Sequence, residues 1–212
     1  MLIQSLTFNP LQENTYIISN DAGDCLIIDP GCCDKEEERE LKDFIESQNL
    51  KVQAVWNTHV HIDHVLGNAF CCNEWNVPLY IPELEQDMFR AVKVYAPNYG
   101  FFTYQEASVS GLLSAQKSLP ISGFELNILF VPGHSPGHLA FYDEKGKQLV
   151  SGDVLFYESI GRSDLPGGQH ETLLKSIREQ LFSLPDEVTV HPGHGPKTSI
   201  GHEKRFNPYC AI

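Results

Sequence analysis

The sequence predicts a layered α/β sandwich, and three observations lead there. Strand-length apolar runs dominate the N-terminal part, an amphipathic helix separates two of them, and the C-terminal half repeats the same rhythm. No Gly/Ser linker and no low-complexity segment interrupts the 212 residues, so one domain, 1–212, is expected.

Leu2 to Phe8, Asn14 to Ser19 and Cys25 to Asp29 read as strands. Asn20-Asp21-Ala22-Gly23-Asp24 is a turn signal between the last two, so an antiparallel meander is expected, and Pro30-Gly31 ends it. Asp34 to Gln48 reads as a helix. Asp34 is a suitable N-cap, acids crowd the first turn, and Leu41, Phe44 and Ile45 fall at i, i+3, i+4. Glu36, Glu37 and Glu38 then form its solvated face. Val52 to Asn57 returns as a strand and completes a βαβ unit.

In the second half, Phe124 to Val131, Leu139 to Tyr142 and Gln148 to Ser151 read as strands. Gln169 to Phe182 is a second amphipathic helix, with Leu173, Leu174, Ile177 and Leu181 on one side and Pro185 as its stop. Val188 to Val190 is a last short strand.

Composition narrows the function. The chain is 42% hydrophobic and 20% charged, too apolar for disorder. It carries 15 Lys and Arg against 28 Asp and Glu, a formal charge of −13. Nucleic acids and anionic lipid both need clustered positive charge, so neither is an expected partner. No apolar run is long enough for a membrane span, and Met1 to Pro10 lacks the charges and apolar stretch of a secretory signal. Four of the six cysteines form the neighbouring pairs Cys32-Cys33 and Cys71-Cys72, and no CxxC spacing occurs. Reduced thiols and a cytoplasmic location are expected, with Cys71 and Cys72 packing on a helix after His64.

The chemistry concentrates in Thr58-His59-Val60-His61-Ile62-Asp63-His64, directly after a predicted strand. A surface loop has no packing reason to collect three imidazoles and a carboxylate, and these are preferred ligands for zinc and similar metals. His59 and His61 can splay around one ion, and Asp63 and His64 can face a second. Further candidates follow later strands: His134 and His138 in Pro132-Gly133-His134-Ser135-Pro136-Gly137-His138, Asp153 in Ser151-Gly152-Asp153, and His191 and His194 in His191-Pro192-Gly193-His194-Gly195-Pro196. Glycine and proline make rigid turns that can aim these side chains. No GxSxG nucleophile elbow is present, and Ser135 reads as a turn residue.

Residues 58–64 resemble the HxHxDH signature of the metallo-β-lactamase superfamily, and His134, Asp153 and His194 resemble its remaining ligands in the same order. Gly161-Arg162-Ser163-Asp164-Leu165-Pro166-Gly167-Gly168 and the closing Gly201-His202-Glu203-Lys204-Arg205-Phe206-Asn207-Pro208 are similar to the compact glyoxalase II-like hydrolases of that superfamily. The resemblance implies a four-layer αββα sandwich and two divalent metal ions, zinc first, with iron or manganese as options. It implies a first ion on His59, His61 and His134, a second on Asp63, His64 and His194, and Asp153 bridging both. His138 and His191 are expected to support the ligand loops, and His191 competes with His194 for ligand duty. His170 and His202 are expected to be structural or exposed.

Two such ions lower the pKa of bound water from about 15.7 to about 7, which makes a hydroxide nucleophile at neutral pH. Asp63 is the expected catalytic carboxylate. A thioester suits this chemistry, because a thiolate of pKa about 8.5 leaves without a strong general acid. S-lactoylglutathione is the substrate the resemblance implies. The chain ends 18 residues beyond His194, so the C-terminal helical region that grips glutathione in larger relatives is expected to be absent. Arg162 is the candidate holder of a substrate carboxylate. The aromatic segment Tyr95 to Tyr104 offers a pocket wall, a dimer contact or core packing. A mononuclear iron persulfide dioxygenase and a lactonase or β-lactamase stand as alternatives, and the chain is expected as a monomer or homodimer.

Overall fold

The N-terminal strands β1 (Leu2–Phe8), β2 (Glu13–Ser19) and β3 (Asp24–Ile28) pair antiparallel, as the turn signals predict. From β3 the direction rule changes. β4 (Lys51–Trp56), β5 (Leu79–Pro82) and β6 (Val109–Leu113) each add parallel to their predecessor, giving a six-stranded sheet in sequential order. Each parallel step needs a crossover. Helices α1 (Lys35–Ser47), α2 (Asn68–Trp75) and α3 (Gln86–Tyr95) supply the three in turn.

Helix α1 starts where the sequence predicts. Asp34 accepts hydrogen bonds from the backbone N–H groups of Glu36 and Glu37, at 2.9 and 3.0 Å. Its apolar stripe buries Leu41 and Ile45 against a core that includes Ile17, Cys25, Ile27, Val52 and Val55. The alternate side chains of the same strands, among them Ile18, Leu26, Ile28 and Trp56, are buried too. That explains why β3 reads as a continuous apolar run from Cys25 to Ile28 rather than as alternation.

The C-terminal strands form a second sheet. β7 (Asn127–Phe130), β8 (Leu139–Asp143) and β9 (Gln148–Gly152) pair antiparallel, β12 (Thr189–Pro192) joins β9 in parallel, and β13 (Thr198–Ser199) closes the order β13-β12-β9-β8-β7. A small hairpin of β10 (Leu155–Phe156) and β11 (Ser159–Ile160) stands apart from it. Helix α4 (His170–Ser176) runs on as a π-helical stretch over Ile177–Leu181, and its Leu173, Ile177 and Leu181 fill the second core with Val131, Leu149 and Val190. Helix α5 (Ile200–Phe206) follows β13.

The computed structural model describes residues 1–115, 121 and 123–211. They separate into two compact units, one built on Met1–Leu113 and one that takes in the chain from Glu125 onward. All six cysteines are free thiols, with Cys25, Cys32, Cys71 and Cys210 buried. Among the described residues, no helix is long and apolar enough to cross a membrane.

Candidate metal centre

In the first unit, one sheet edge collects the chemistry. β3, β4 and β5 run the same way, so the segments that leave their C-terminal ends emerge together, beside the turn where β2 begins. Asp29 follows β3, the histidine run follows β4, Glu85 follows β5, and Glu13 opens β2. Val60 and Ile62 are buried in the core, which forces their neighbours in the alternating run toward the edge. A tight turn over Ile62–His64 then doubles the chain back. It brings the ring of His59 to 4.8 Å from that of His61 and 4.1 Å from that of His64, centre to centre. Asp63 Oδ2 lies 3.8 Å from His64 Nε2.

Hydrogen bonds set the tautomers. The Thr58 hydroxyl donates to Asp29 Oδ2 at 2.6 Å, so its oxygen accepts from His59 Nδ1 at 3.0 Å. His64 Nδ1 donates to the same Asp29 oxygen at 3.2 Å. Both rings thereby keep Nε2 as the lone-pair nitrogen, the form in which imidazole binds a metal. Asp29 also takes the Thr58 N–H at 2.7 Å, so its carboxylate is committed to orienting rather than ligating. Glu85 Oε2 accepts the Val60 N–H at 2.7 Å and pins the middle of the histidine run.

Glu13 lies fully buried, with Oε1 3.8 Å from His64 Nδ1. Burial pushes its pKa well above the usual carboxylate range, against the opposing pull of His64. Asp29, Glu13 and Glu85 are the residues that sequence reasoning missed. Asp29 carried a signal, an acid at a strand end just before Pro30-Gly31, whereas Glu13 and Glu85 meet the histidines only through the fold.

The second unit repeats the device. β7, β9 and β12 share one direction, because β8 is antiparallel to both β7 and β9 and β12 is parallel to β9. His134, Asp153 and His194 follow their C-terminal ends and so gather on one edge. Asp153 Oδ2 lies 3.5 Å from His134 Nε2 and 3.5 Å from His194 Nε2. That spacing is long for a hydrogen bond. It matches the separation of about 3.4 Å between two ligand atoms that each sit about 2.1 Å from one tetrahedral ion. His134 Nδ1 donates to the Arg162 carbonyl at 2.7 Å, which again leaves Nε2 as the metal-binding nitrogen.

The neighbouring histidines have other duties. His138 Nε2 accepts the Asp153 N–H at 3.1 Å and so steadies the bridging candidate. His191 is buried beside Gln148 at 3.1 Å, and burial lowers its pKa to about 4, so it stays neutral. His194, not His191, is the histidine placed at Asp153. His170 and His202 meet Ser163 at 3.3 Å and Glu158 at 3.1 Å, respectively. The closing motif also gains a reason. Buried Glu203 accepts the Glu158 N–H at 3.0 Å, and Asn207 donates to the Ser159 carbonyl at 3.0 Å, so α5 locks the β10–β11 hairpin that leads to Arg162.

Arg162 thus contributes its carbonyl oxygen to His134, while its guanidinium grips Asp164 through two bonds of 3.0 and 2.9 Å. Beside it, a Cβ on Gly161 would stand 1.9 Å from the Asp153 carbonyl oxygen. Gly161→Ala is therefore expected to cost about 1–3 kcal/mol of stability and to loosen metal binding, because the hairpin must retreat from Asp153. Urea unfolding and metal content of the purified variant check both parts.

The donor set of each unit, imidazole Nε2 atoms with carboxylate oxygens on a strand-end edge, therefore fits divalent metal ions. The sequence profile of the metallo-beta-lactamase superfamily matches residues 8–194. The chain belongs to that superfamily. A curated relative, hydroxyacylglutathione hydrolase GloC of Haemophilus influenzae, is 35% identical over 211 residues, covering 99% of this chain and 98% of its own. Two solved structures superpose along the chain. TTHA1623 in a di-iron-bound form is 38% identical with a TM-score of 0.86, covering 97% of this chain and 99% of its own. BLEG-1 B3 metallo-beta-lactamase is 32% identical with a TM-score of 0.85, covering 100% of both chains. The described residues thus show the mixed α/β fold of the superfamily, and the protein is one of its metallo-hydrolases.

Proposed function

We propose that the chain hydrolyses a small-molecule thioester of the hydroxyacylglutathione class at a dinuclear centre held by His59, His61, Asp63, His64, His134, Asp153 and His194. The observation that carries the metal reading is Asp153, whose Oδ2 stands at ligand spacing, 3.5 Å, from two imidazole Nε2 atoms. The likeness to GloC along nearly the whole of both chains supports the substrate class.

When bound, two divalent ions supply an acidified water as nucleophile and a Lewis acid for the carbonyl oxygen. The protein's part is orientation. Asp29, the Thr58 hydroxyl and the Arg162 carbonyl hold three imidazoles by Nδ1, which leaves each Nε2 with the lone pair that would bind an ion. Asp63 is proposed to ligate one ion and to orient the attacking water with its second oxygen. The leaving thiolate needs no protein acid. Arg162 is proposed to anchor a substrate carboxylate after letting go of Asp164. Its side chain is 68% exposed, and solvent screens so exposed a pair, so the exchange is cheap. Imidazole and carboxylate suit zinc, iron or manganese. Free thiols suit a reducing, cytoplasmic setting.

A metal-defined sample assayed on S-lactoylglutathione, other thioesters, a lactone, a β-lactam and a persulfide tests the reading. Thioester hydrolysis that stops with chelator and returns with added metal is the expected result. Oxygen uptake with persulfide and no thioester turnover would overturn it.

A further inference from the structure

The first unit contains a cavity of about 680 Å³ whose lining includes none of the seven candidate donors. Its size falls in the range of small-molecule sites, about 300–1,000 Å³. It lies between the N-terminal turn of α1, the start of α2 and the segment after α3. Two kinds of surface meet there. Phe70, Phe101 and Tyr104 give aromatic walls, while Glu38 and Glu74 bring carboxylates.

The two carboxylates are well covered, with side chains 20% and 30% exposed, and each already binds a cation. Lys35 reaches Glu38 at 2.6 Å and Lys42 reaches Glu74 at 2.5 Å. The Lys35 partner differs in kind, because its side chain is 88% exposed. It is a long, exposed side chain whose ammonium meets a partly covered acid that lines the same cavity as the aromatic rings. A ligand ammonium could take its place at little cost, since exposed pairs are weak. Aromatic faces add further attraction for a cation and a stacking surface for a ring.

We propose that this cavity is a second ligand site, separate from the metal donors, that takes a small aromatic amine with its ring against Phe70, Phe101 and Tyr104 and its ammonium at Glu38 in place of Lys35. The inference does not depend on the thioester reading, because no metal donor takes part.

Calorimetric titration of the metal-loaded protein with tryptamine, indole and indole-3-acetate tests it. Tryptamine should bind about tenfold more tightly than indole-3-acetate, with indole between them. Lys35→Met should tighten tryptamine by about threefold, because a competitor for Glu38 is gone. Ala69→Phe fills the cavity and should abolish binding. If that variant fails to fold by circular dichroism, Glu38→Gln serves instead and should weaken tryptamine by about fivefold. No tryptamine binding, equal binding of the three probes, binding that survives a folded Ala69→Phe, or indifference to Glu38→Gln would each overturn the proposal.

Discussion

Asp153→Ala is expected to strip the protein of most of its metal and to lower turnover by about a thousandfold or more. One carboxylate oxygen stands at ligand spacing from both His134 Nε2 and His194 Nε2. Its loss leaves two imidazoles without the anion that would hold ions beside them. The loop itself should survive, because the Asp153 N–H keeps its bond to His138 and Gly193 N–H keeps its bond to the Gly152 carbonyl. Metal analysis of untagged protein and a thioester rate on the same sample decide the matter. A variant that retains about two ions per chain and works within about tenfold of wild type would remove Asp153 from the centre.

Asp29→Asn should separate orientation from ligation. Asp29 has a φ of +52°, a conformation that asparagine also tolerates, so the backbone is spared. The amide replaces one acceptor oxygen with a donor, facing either the Thr58 hydroxyl and His64 Nδ1 or the Thr58 N–H. Metal affinity should fall by about 10–100-fold, as for other partners of metal-binding histidines. Stability should fall by about 1–3 kcal/mol, because buried donors lose their acceptor. Competition with a chromophoric chelator measures the first and urea unfolding the second. Unchanged affinity would mean that packing alone aims His64.

Much of the fold was legible because its long elements carry a period. β1 spans Leu2–Phe8 as read, and α1 begins at its Asp34 cap. Most of the elements that escaped are short, but α3 escaped although its ten residues bury Phe89 and Val92 at helical spacing. β5 has four residues and ends on Pro82, β10 and β11 have two each, and α5 has seven. The predicted strand from Phe124 shrinks to Asn127–Phe130, since Phe124 and Leu126 are buried outside the ladder. The predicted Gln169–Phe182 helix holds its length but changes winding after Ser176, where Phe182 N–H bonds the Ile177 carbonyl five residues back. A period near 3.6 is too coarse to show that.

The candidate site divides the same way. Its donors were readable because ligand chemistry uses few residue types and the strand-end loops bunch them. Their supports were not. Asp29 lies 35 positions from His64 and Glu85 lies 25 from Val60. The hydrogen-bond partner of His134 is a backbone oxygen, which has no letter of its own. Reading Arg162 as a side chain alone missed that contribution.

The free thiols carry a practical consequence. Burial pushes the Cys25 and Cys210 thiols up to about 12 and Cys72 to about 11. Cys33 also reaches about 12, through burial and then Glu37. At neutral pH only about one in ten thousand such thiols, or fewer, is ionised, against about one in thirty in an unfolded chain. Cys25 and Cys210 are also buried, so an alkylating reagent is expected to reach these two only when the chain opens. Counting adducts by mass over time makes the protein its own unfolding clock, with no dye or added label.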